Sequence, residues 1–329
     1  MINILITGSA GFIGFNLQKY LSKYYRVVGC DNLSSVSKKT QKLRLNQIKK
    51  SKLKFIKIDL IKSQNLKKKL KGYRFDLIIH LAATPGVRVS QTFPQSTISN
   101  NLISFINVFE YAVQNNINKV FYASSSSVYG NNKSFIEKNT KLDPTSIYGV
   151  SKVANEYLAR TYNKLYDISS VGLRFFTVYG SWGRPDMAYF KFTKKILNGK
   201  KIDIYNKGKM YRDYTYIDDI VDGIFKLINK VPKLTSKKKI KNDSLSPVAP
   251  FRILNIGNTK KIYLLDFINT LEKELGKKIK KNYLPMQKGD VYSTLSDTSL
   301  LKKITNYNPK TNYKTGVKKF LNWYLNYYN

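Results

Sequence analysis

The side chains with the clearest chemical potential are Tyr148 and Lys152, which lie four residues apart in a segment of helical periodicity. Residues at this spacing project from one face of a helix, so the phenol and the amine would be neighbours. A tyrosine hydroxyl titrates near pH ~10, and a nearby positive charge lowers that pKa and makes the hydroxyl a usable base. The same spacing also arises by chance, as a surface tyrosine beside a solvated lysine.

Four consecutive serines, Ser124 to Ser127, follow a buried strand-like run upstream of that helix. Hydroxyls placed there would lie at the carboxyl edge of a parallel sheet, where ligands bind in such folds. Their position between a buried strand and the helix of Tyr148 favours a role in a site over a plain loop. Ser146 is predicted to be the N-cap of that helix.

Glycines recur as Gly8, Gly11 and Gly14 in a turn that leads from an apolar strand into a helix. Glycine tolerates unusual backbone angles and lets the backbone approach a ligand closely. The start of the helix, at Phe12 and Ile13, offers free N–H groups and a positive dipole end to a pyrophosphate. The first gap is one residue longer than in the dinucleotide fingerprint, so an ordinary turn with close helix packing stays an alternative.

Carboxylates end the second and third predicted strands, at Asp31 and Asp59. An acid about 20 residues beyond the glycine turn can accept hydrogen bonds from ribose hydroxyls, and its charge disfavours the 2′-phosphate of NADP. Asp31 therefore predicts NAD as the cofactor, and Asp59 could meet the adenine amino group. Either residue could instead be an ordinary turn aspartate. The predicted cofactor site also includes their neighbours Asn32 and Leu60.

The elements that must position these groups alternate between apolar runs and segments of helical period. The predicted strands are Ile2–Thr7, Arg26–Asp31, Lys54–Ile58, Asp76–His80, Lys119–Ala123 and Ser170–Phe175, and the predicted helices include Phe12–Tyr24, Thr97–Asn115, Ile147–Leu165 and Thr315–Tyr324. This alternation predicts an α/β fold, a doubly wound parallel Rossmann sheet with a smaller C-terminal α/β substrate-binding part. We place the NAD-binding domain at residues 1–177 and the substrate-binding part mainly at residues 178–329, with a helix near 218–230 returning to the first domain.

The chain of 329 residues carries a formal net charge of +38, which raises nucleic-acid binding as a possible class of function. The excess is almost all lysine, spread along the chain, and only nine of the 58 basic residues are arginine. We therefore expect a solvated basic surface and no nucleic-acid partner. Each arginine is more informative, because a guanidinium can bind an anion through two parallel hydrogen bonds.

Cys30 is the only cysteine and His80 is the only histidine, so no internal disulfide and no His/Cys metal site are expected. His80 ends a buried strand and is expected to be structural. No apolar run approaches the roughly 20 residues that a membrane span requires, and no secretion signal is recognised before the first strand. The expected location is the cytoplasm, with no membrane partner.

Longer segments resemble the extended short-chain dehydrogenases, and among them the NAD-dependent nucleotide-sugar epimerases. The resemblance covers essentially the whole chain and is strongest to the UDP-glucuronate 4-epimerases. The segments that carry it are Leu81-Ala82-Ala83, Gly86-Val87-Arg88, Gly172 to Gly180, Trp182 to Ala188, Tyr211 to Asp219 and Asn255-Ile256-Gly257-Asn258.

This resemblance implies an isomerase that oxidises and re-reduces C4 of a UDP-sugar while NAD stays bound. It implies that Tyr148 is the catalytic base, that Lys152 is its partner and a ribose ligand, and that Ser125 polarises the reacting oxygen. Leu81, Ala82 and Ala83 join the cofactor site on the same ground. The implied substrate contacts are Thr177, Arg184, Ser126 and Ser127 to the glucuronate carboxylate, Arg212 to the diphosphate, Asp290 to the uridine ribose, and Arg88 to phosphate or substrate.

Relatives that eliminate water or carbon dioxide carry carboxylates just after the catalytic serine or threonine, where this chain has Ser126 and Ser127. A hydroxyl near its usual pKa is a poor general base, so these two residues argue against both eliminations. UDP-glucose or UDP-N-acetylglucosamine 4-epimerisation stays an alternative to UDP-glucuronate. Outside enzymes, the alternative is an NAD-binding regulator or a basic nucleic-acid-binding protein. A homodimer is implied by the resemblance alone.

Overall fold

A computed structural model describes residues 1–34, 37–234, 240–287 and 289–328. Its strands are β1 Asn3–Thr7, β2 Arg26–Asp31, β3 Lys54–Lys57, β4 Leu77–His80, β5 Lys119–Ser125, β6 Ser169–Phe175, β7 Thr177–Tyr179, β8 Ile202–Ile204, β9 Tyr211–Tyr216, β10 Phe251–Ile256, β11 Lys261–Tyr263 and β12 Lys281–Tyr283. Its α-helices are α1 Phe12–Leu21, α2 Lys38–Lys50, α3 Ser63–Lys69, α4 Val87–Thr92, α5 Pro94–Ile98, α6 Ser104–Gln114, α7 Ile147–Tyr166, α8 Ala188–Leu197, α9 Ile217–Leu227, α10 Leu264–Leu275, α11 Ser299–Thr305 and α12 Tyr313–Tyr327.

Seven strands form one sheet in the order β10-β6-β5-β4-β1-β2-β3, and all neighbouring pairs in it are parallel. The direction in which strands are added reverses between β1 and β4, which is where ligands bind in a doubly wound sheet. Thr7 at the end of β1 is in register with His80 at the end of β4, so the carboxyl ends of these strands meet at one edge. The predicted fold class, a parallel Rossmann sheet, is confirmed.

The central strands are apolar along their length because helices cover both faces of the sheet. Ile4, Leu5 and Ile6 of β1 are fully buried, as is typical of parallel strands. Ile4 and Ile6 pack in one core cluster and Leu5 packs in the other, because successive side chains of a strand point to opposite faces. Among the described residues, no helix is long and apolar enough to cross a membrane.

Two elements from the second half of the chain return to this sheet. β10 pairs with β6 as the seventh strand, and α9 packs against α1. The other strands form a three-stranded sheet, β11-β9-β7, and a parallel pair, β12-β8. The division of the chain at residue 177 stays a prediction, and β10 lies beyond that point in sequence although it belongs to the Rossmann sheet in space.

The predicted helix Thr97–Asn115 is observed, although it begins earlier, at Pro94, and contains a π-helical turn. The chain forms α5, then a π-helical turn over Ser99–Ile103, and then α6. Asn101 in that turn is buried, and its amide accepts a hydrogen bond from the Thr84 N–H and donates one to Ser151 Oγ. Hydrophobic periodicity does not reveal such a turn, and π-helical turns occur frequently at functional sites.

His80 at the end of β4 is held by two neighbours. Its Nδ1 lies 2.8 Å from Thr7 Oγ1, and its ring packs edge-on against Phe105. Burial, with a smaller contribution from the charge of Lys152, lowers the pKa of His80 from 6.5 to about 3. The unfolded chain therefore binds more protons than the folded chain between these two pKa values, and the free energy of unfolding falls as the pH falls through that window.

We expect His80→Gln to flatten the pH dependence of the unfolding free energy by about 1.4 kcal/mol per pH unit between about pH 4 and 6. Glutamine keeps a hydrogen-bonding group near Thr7 but gains no proton when the chain unfolds. Urea unfolding of the variant and the wild type across this range measures the two slopes. Parallel slopes would contradict the assignment of His80 as a buried neutral histidine.

Candidate active site

The turn between β1 and α1 requires glycine because backbone approaches backbone there. Gly8 has a φ of +70°, and a Cβ on it would lie 2.7 Å from the nitrogen of Ala82. A Cβ on Gly14 would lie 2.2 Å from the carbonyl oxygen of Gly8, so α1 begins directly against the turn. Gly11 is the N-cap of α1, and its N–H bonds back to the Gly8 carbonyl.

The N-terminus of α1 fits the pyrophosphate of a dinucleotide. The first N–H groups of the helix, including those of Phe12 and Ile13, have no partner within it, and the helix dipole is positive at this end. No acidic residue occupies the first turn of α1 to compete with an anion. A side chain at Gly8 or Gly14 would clash with the neighbouring backbone, so the turn that presents this helix end requires glycine at both positions.

Asp31 lies beside the glycine turn. Its two carboxylate oxygens accept hydrogen bonds from the N–H groups of Ala10 at 3.2 Å and Leu33 at 2.8 Å. Burial raises the pKa of Asp31, and these two hydrogen bonds together with the charge of Arg44 oppose that shift. A carboxylate oriented in this way beside the N-terminus of α1 suits a ribose diol.

The other predicted cofactor residues border the same region. Asn32 and Asp59 each accept a hydrogen bond from the backbone N–H two residues further on. Asp59 thus makes the contact of an ordinary turn aspartate, which is the alternative to its contact with adenine, and Asn32 makes the same kind of turn contact. Leu60 is buried, and its carbonyl accepts from Asn107 Nδ2. These positions stay predictions as NAD contacts.

Leu81, Ala82 and Ala83 follow β4 and are half-buried. The backbone of Leu81 and Ala82 packs against Gly8, because a Cβ on Gly8 would lie 2.8 Å from the Leu81 carbonyl carbon and 2.7 Å from the Ala82 nitrogen. The Ala82 N–H donates to Thr7 Oγ1 at 3.2 Å. The loop after β4 thus lies against the glycine turn, as expected for one wall of a dinucleotide site.

Ser125, Tyr148 and Lys152 come together at the carboxyl edge of the sheet. Ser125 ends β5, and its hydroxyl contacts both the Tyr148 side chain and Ser127 Oγ, the latter at 3.1 Å. The Nζ of Lys152 lies 5.8 Å from the centre of the Tyr148 ring, so the two side chains share one face of α7. Ser146 caps α7 as predicted, because its Oγ accepts from the Gly149 N–H.

Gly149 lets the serine segment pack against the start of α7. A Cβ there would lie 2.7 Å from the Ser127 carbonyl oxygen and 2.9 Å from Pro144 Cβ. Ser126 and Ser127 begin a single 3₁₀ turn after β5 and are half-buried. Glycine next to Tyr148 therefore brings the hydroxyls of this turn close to the phenol.

The acidity of Tyr148 and Lys152 differs from the simple expectation of an ammonium lowering the phenol pKa. Burial raises the pKa of Tyr148, while the hydrogen bond from Ser125 and the charge of Arg184 act against this. Burial lowers the pKa of Lys152 to about 8, and Glu156 partly opposes the shift. The positive charge that lowers the Tyr148 pKa in this structure is therefore that of Arg184, and a bound cation would lower it further.

Arg184 lies beside the catalytic cluster and forms a salt bridge with Asp186. Its Nε and Nη2 donate to the two carboxylate oxygens of Asp186, and Nη2 lies 3.4 Å from the Pro85 carbonyl oxygen. These contacts use Nε and Nη2, so Nη1 can donate to a further acceptor. Thr177, at the start of β7, is half-buried and in register with Tyr214 of β9.

Arg88, Arg212 and Asp290 form a second group of charges. Arg88 pairs with Asp290 at 3.7 Å, and Arg212 Nη1 donates to the carbonyls of Tyr211 and Tyr292. Burial lowers the pKa of Arg212, and Asp290 is among the groups that oppose this shift. Within the described residues, Arg212 forms no ion pair with Asp213 or Asp218, the acids nearest to it in sequence.

Three neighbours of the functional site were not among the predicted site residues. Asn101 links the loop after β4 to α7, and Glu156 and Arg174 form a buried ion pair behind Ser124. Glu156 follows Lys152 by four residues on a predicted helix, so its place on that face was available from spacing alone. The place of Arg174 was not available from spacing, because Arg174 lies on β6, a different element from the helix that carries Glu156. Among the described residues no group of His, Cys, Asp and Glu could hold a metal ion.

A parallel Rossmann sheet that carries a glycine turn, an acid at the end of β2 and a Ser–Tyr–Lys cluster defines a dinucleotide-dependent enzyme. The chain belongs to the NAD dependent epimerase/dehydratase family, whose model matches residues 4–241. The predicted family, the NAD cofactor and the isomerase class are confirmed.

Several characterised relatives are similar over almost the whole chain. UDP-glucuronate 4-epimerase 4 of Arabidopsis thaliana is 40% identical, over 99% of this chain and 76% of its own length. The crystal structure of UDP-glucuronic acid 4-epimerase from Bacillus cereus in complex with UDP-glucuronic acid and NAD has a TM-score of 0.87 at 33% identity, covering 99% of this chain and 100% of that one. The crystal structure of UDP-glucose 4-epimerase from Thermotoga maritima with UDP-glucose has a TM-score of 0.84 at 25% identity, covering 99% of both chains. All three of these proteins are named for the 4-epimerisation of a UDP-sugar.

We expect Tyr148→Phe to lower kcat by about 10²- to 10⁴-fold, because phenylalanine keeps the ring but cannot transfer a proton. NAD content and substrate affinity should stay near those of the wild type. Turnover of the UDP-sugar, measured beside NAD content and the thermal midpoint, tests this. Tyr166→Phe, an exposed tyrosine of the same helix, is the matched control and should leave kcat unchanged. Equal kcat values for Tyr148→Phe and the wild type would remove Tyr148 from the reaction.

Proposed function

We propose that this protein catalyses the NAD-dependent 4-epimerisation of UDP-glucuronate to UDP-galacturonate. The observation that carries the proposal is Arg184 beside Tyr148. Burial raises the Tyr148 pKa, and the Arg184 charge is close enough to act against that rise. A sugar whose C4 hydroxyl meets Tyr148 would therefore place its C6 substituent near a guanidinium, the natural partner of a carboxylate. The likeness to two enzymes named for UDP-glucuronate 4-epimerisation supports the same substrate.

Each member of the catalytic cluster has a distinct task. NAD, which the glycine turn and Asp31 would hold, would supply the hydride chemistry at C4 of the sugar. Tyr148 removes the proton of the C4 hydroxyl and later returns it, and Ser125 polarises the same oxygen. Lys152 is the partner of Tyr148 on the same face of α7 and a ligand of the cofactor ribose, and its pKa of about 8 leaves it mostly charged at neutral pH.

The carboxylate of glucuronate needs firm positioning for a chemical reason. Oxidation at C4 turns the sugar into a β-keto acid, which loses carbon dioxide when its carboxylate bond aligns with the carbonyl π system. We assign to Thr177 and Arg184, with Ser126 and Ser127, the role of holding the carboxylate out of that alignment. Asp186 supports this role, because its two hydrogen bonds orient the Arg184 guanidinium.

We assign the nucleotide end of the substrate to the group formed by Arg88, Arg212 and Asp290. Arg212 is half-buried and tethered to two backbone carbonyls, which suits a cation that binds the diphosphate. Asp290 would accept hydrogen bonds from the uridine ribose. Its ion pair with Arg88 is long and half-exposed, so a bound nucleotide can replace it at little cost.

Incubation of the purified protein with UDP-glucuronate and no added NAD tests the proposal. We expect UDP-galacturonate to form, because each hydride is returned and the cofactor stays bound. UDP-glucose and UDP-N-acetylglucosamine, assayed in parallel by anion-exchange chromatography, should react at least about tenfold more slowly, because they lack the charge-assisted contact to Arg184. Faster conversion of UDP-glucose would instead establish the UDP-glucose 4-epimerase that the Thermotoga likeness represents.

Arg184→Ala in the same assay isolates the carboxylate contact. We expect kcat/KM for UDP-glucuronate to fall by about 10- to 100-fold, with a pentose by-product from decarboxylation. Arg160→Ala removes an exposed arginine of α7 and is the matched control. Unchanged turnover by Arg184→Ala without a pentose by-product would end the carboxylate assignment while leaving 4-epimerisation itself to the preceding assay.

We also propose that the protein is a homodimer through α7. Val150, Ala154, Tyr157 and Leu165 lie along one side of this helix, and we call them the α7 stripe. Val150, Tyr157 and Leu165 are 48%, 62% and 66% exposed. An apolar stripe of this length on a helix that is otherwise packed against α4, α5 and α6 suits the same stripe of a second copy around a two-fold axis.

A double substitution, Tyr157→Glu with Leu165→Glu, tests the dimer. We expect light scattering after size exclusion to show a dimer for the wild type and a monomer for the variant, because four carboxylates would then meet at the two-fold axis. Tyr283→Glu, at an exposed tyrosine of β12, is the control and should stay dimeric. A monomeric wild type, or a double variant that remains a dimer, would contradict the proposal.

A further inference from the structure

Arg44 is a buried arginine of α2 whose guanidinium lies between two parts of the active site. Only 2% of the residue is exposed. Its Nη1 donates to the Ala10 carbonyl at 3.0 Å, Nε and Nη2 donate to the Trp182 carbonyl at 2.9 and 2.7 Å, and Nη2 also donates to the Gly183 carbonyl at 2.9 Å. All these acceptors are main-chain oxygens.

Such a placement is costly. A buried cation is usually compensated by a carboxylate, whereas no ion pair joins Arg44 to an acid among the described residues. Burial lowers the pKa of Arg44 to about 10, and the positive charge of Arg184 contributes to the lowering while Asp31 and Asp186 oppose it. A neutral side chain of similar volume would avoid this cost, so packing alone does not account for an arginine here.

The three carbonyls belong to the two segments that the proposed reaction uses. Ala10 lies within the glycine turn, between Gly8 and Gly11, and its N–H bonds Asp31. Trp182 and Gly183 directly precede Arg184. Arg44 therefore joins the segment assigned to the dinucleotide with the segment assigned to the sugar carboxylate.

The segment before Arg184 has a backbone that needs support. Trp182 has a φ of +64°, a left-handed conformation that is unfavourable for a bulky residue. Its ring packs against Phe15 of α1 and against Trp323 and Tyr327 of α12. The two hydrogen bonds from Arg44 to the Trp182 carbonyl hold the peptide that leads to Arg184 in this orientation.

We propose that Arg44 is a positioning residue that couples the glycine turn to Arg184, so that binding of NAD and binding of the sugar carboxylate strengthen each other. The inference rests on the proposed function, since it takes Arg184 as the carboxylate ligand. The guanidinium fork is essential to it, because its donors reach both segments at once. A lysine ammonium in the same place is a single point donor on a flexible stem.

The coupling is measurable in the holoenzyme as the rate of NAD release. The purified protein is diluted into an NAD-consuming mixture, and bound NAD is followed after rapid filtration, with saturating UDP-glucuronate, UDP-glucose or UDP present. For the wild type we expect UDP-glucuronate to slow release about tenfold more than UDP-glucose does, because only glucuronate binds Arg184 through a carboxylate. In Arg44→Met this difference should vanish, while UDP alone should slow release to the same extent in both proteins.

Arg252→Met is the matched control. Arg252 is also a buried arginine, but it lies at the amino end of β10, away from the site, and its bidentate partner is Asp243 in the segment before that strand. The Arg252→Met protein should be less stable than the wild type and should keep the difference in NAD release between UDP-glucuronate and UDP-glucose. Arg44→Lys provides a second variant that retains the charge, and it should lose most of the difference even if Arg44→Met folds poorly.

The outcomes separate the two proposals. Retention of the glucuronate-specific effect in either Arg44 variant, or its absence from a wild type that epimerises UDP-glucuronate, would overturn the coupling and leave the proposed function intact. A wild type that neither binds nor converts UDP-glucuronate would instead overturn the proposed function. If the Arg44 variants lost thermal stability but kept the difference in NAD release between UDP-glucuronate and UDP-glucose, the role of Arg44 would be purely structural.

Discussion

The ion pair between Glu156 and Arg174 is the interaction on which the geometry of the active site depends. Arg174 Nε and Nη2 donate to the two carboxylate oxygens of Glu156 at 2.9 and 2.7 Å, and both side chains are almost inaccessible. Burial alone would lower the pKa of Arg174, but the charge and hydrogen bonds of Glu156 raise it. The pair joins α7 to β6, and loss of either partner would leave a buried charge at a cost of about 3–5 kcal/mol.

The pair also reaches the groups that carry the chemistry. Ser124 donates to Glu156 at 2.5 Å, which holds the end of β5 where Ser125 follows. Burial lowers the pKa of Lys152, and Glu156, one helical turn away, partly restores its charge. On the other side, the Arg174 guanidinium lies 4.6 Å from the centre of the Tyr129 ring, whose hydroxyl donates to Asn255 of β10. β10 is thereby connected to α7, the helix that carries Tyr148 and Lys152.

Much of the fold and part of the site could be predicted from local pattern. The strands from β1 to β6 are apolar runs of the expected length, and helix α7 has a periodic face and a serine cap, so both depend on residues close together in the chain. The glycine turn is equally local, because Gly8 and Gly14 serve one turn and the helix that follows it. The π-helical turn at Asn101 and the addition of β10 to the sheet were not predictable in this way. Asn101 bonds Ser151, and β10 pairs with β6, so their partners are far along the chain.

By itself the sequence determined the class of the protein, because the glycines, Asp31, Tyr148 and Lys152 act through spacings within single elements. Only the tertiary structure decided the electrostatics of these groups. Whether Tyr148 becomes more or less acidic depends on its burial and on Arg184, which approaches from a different loop. Likewise Arg44 and Trp182, 138 residues apart in the chain, meet only when α2 folds against the segment before Arg184. Burial and long-range charge belong to the packed molecule, since both depend on which distant segments exclude water from the same place.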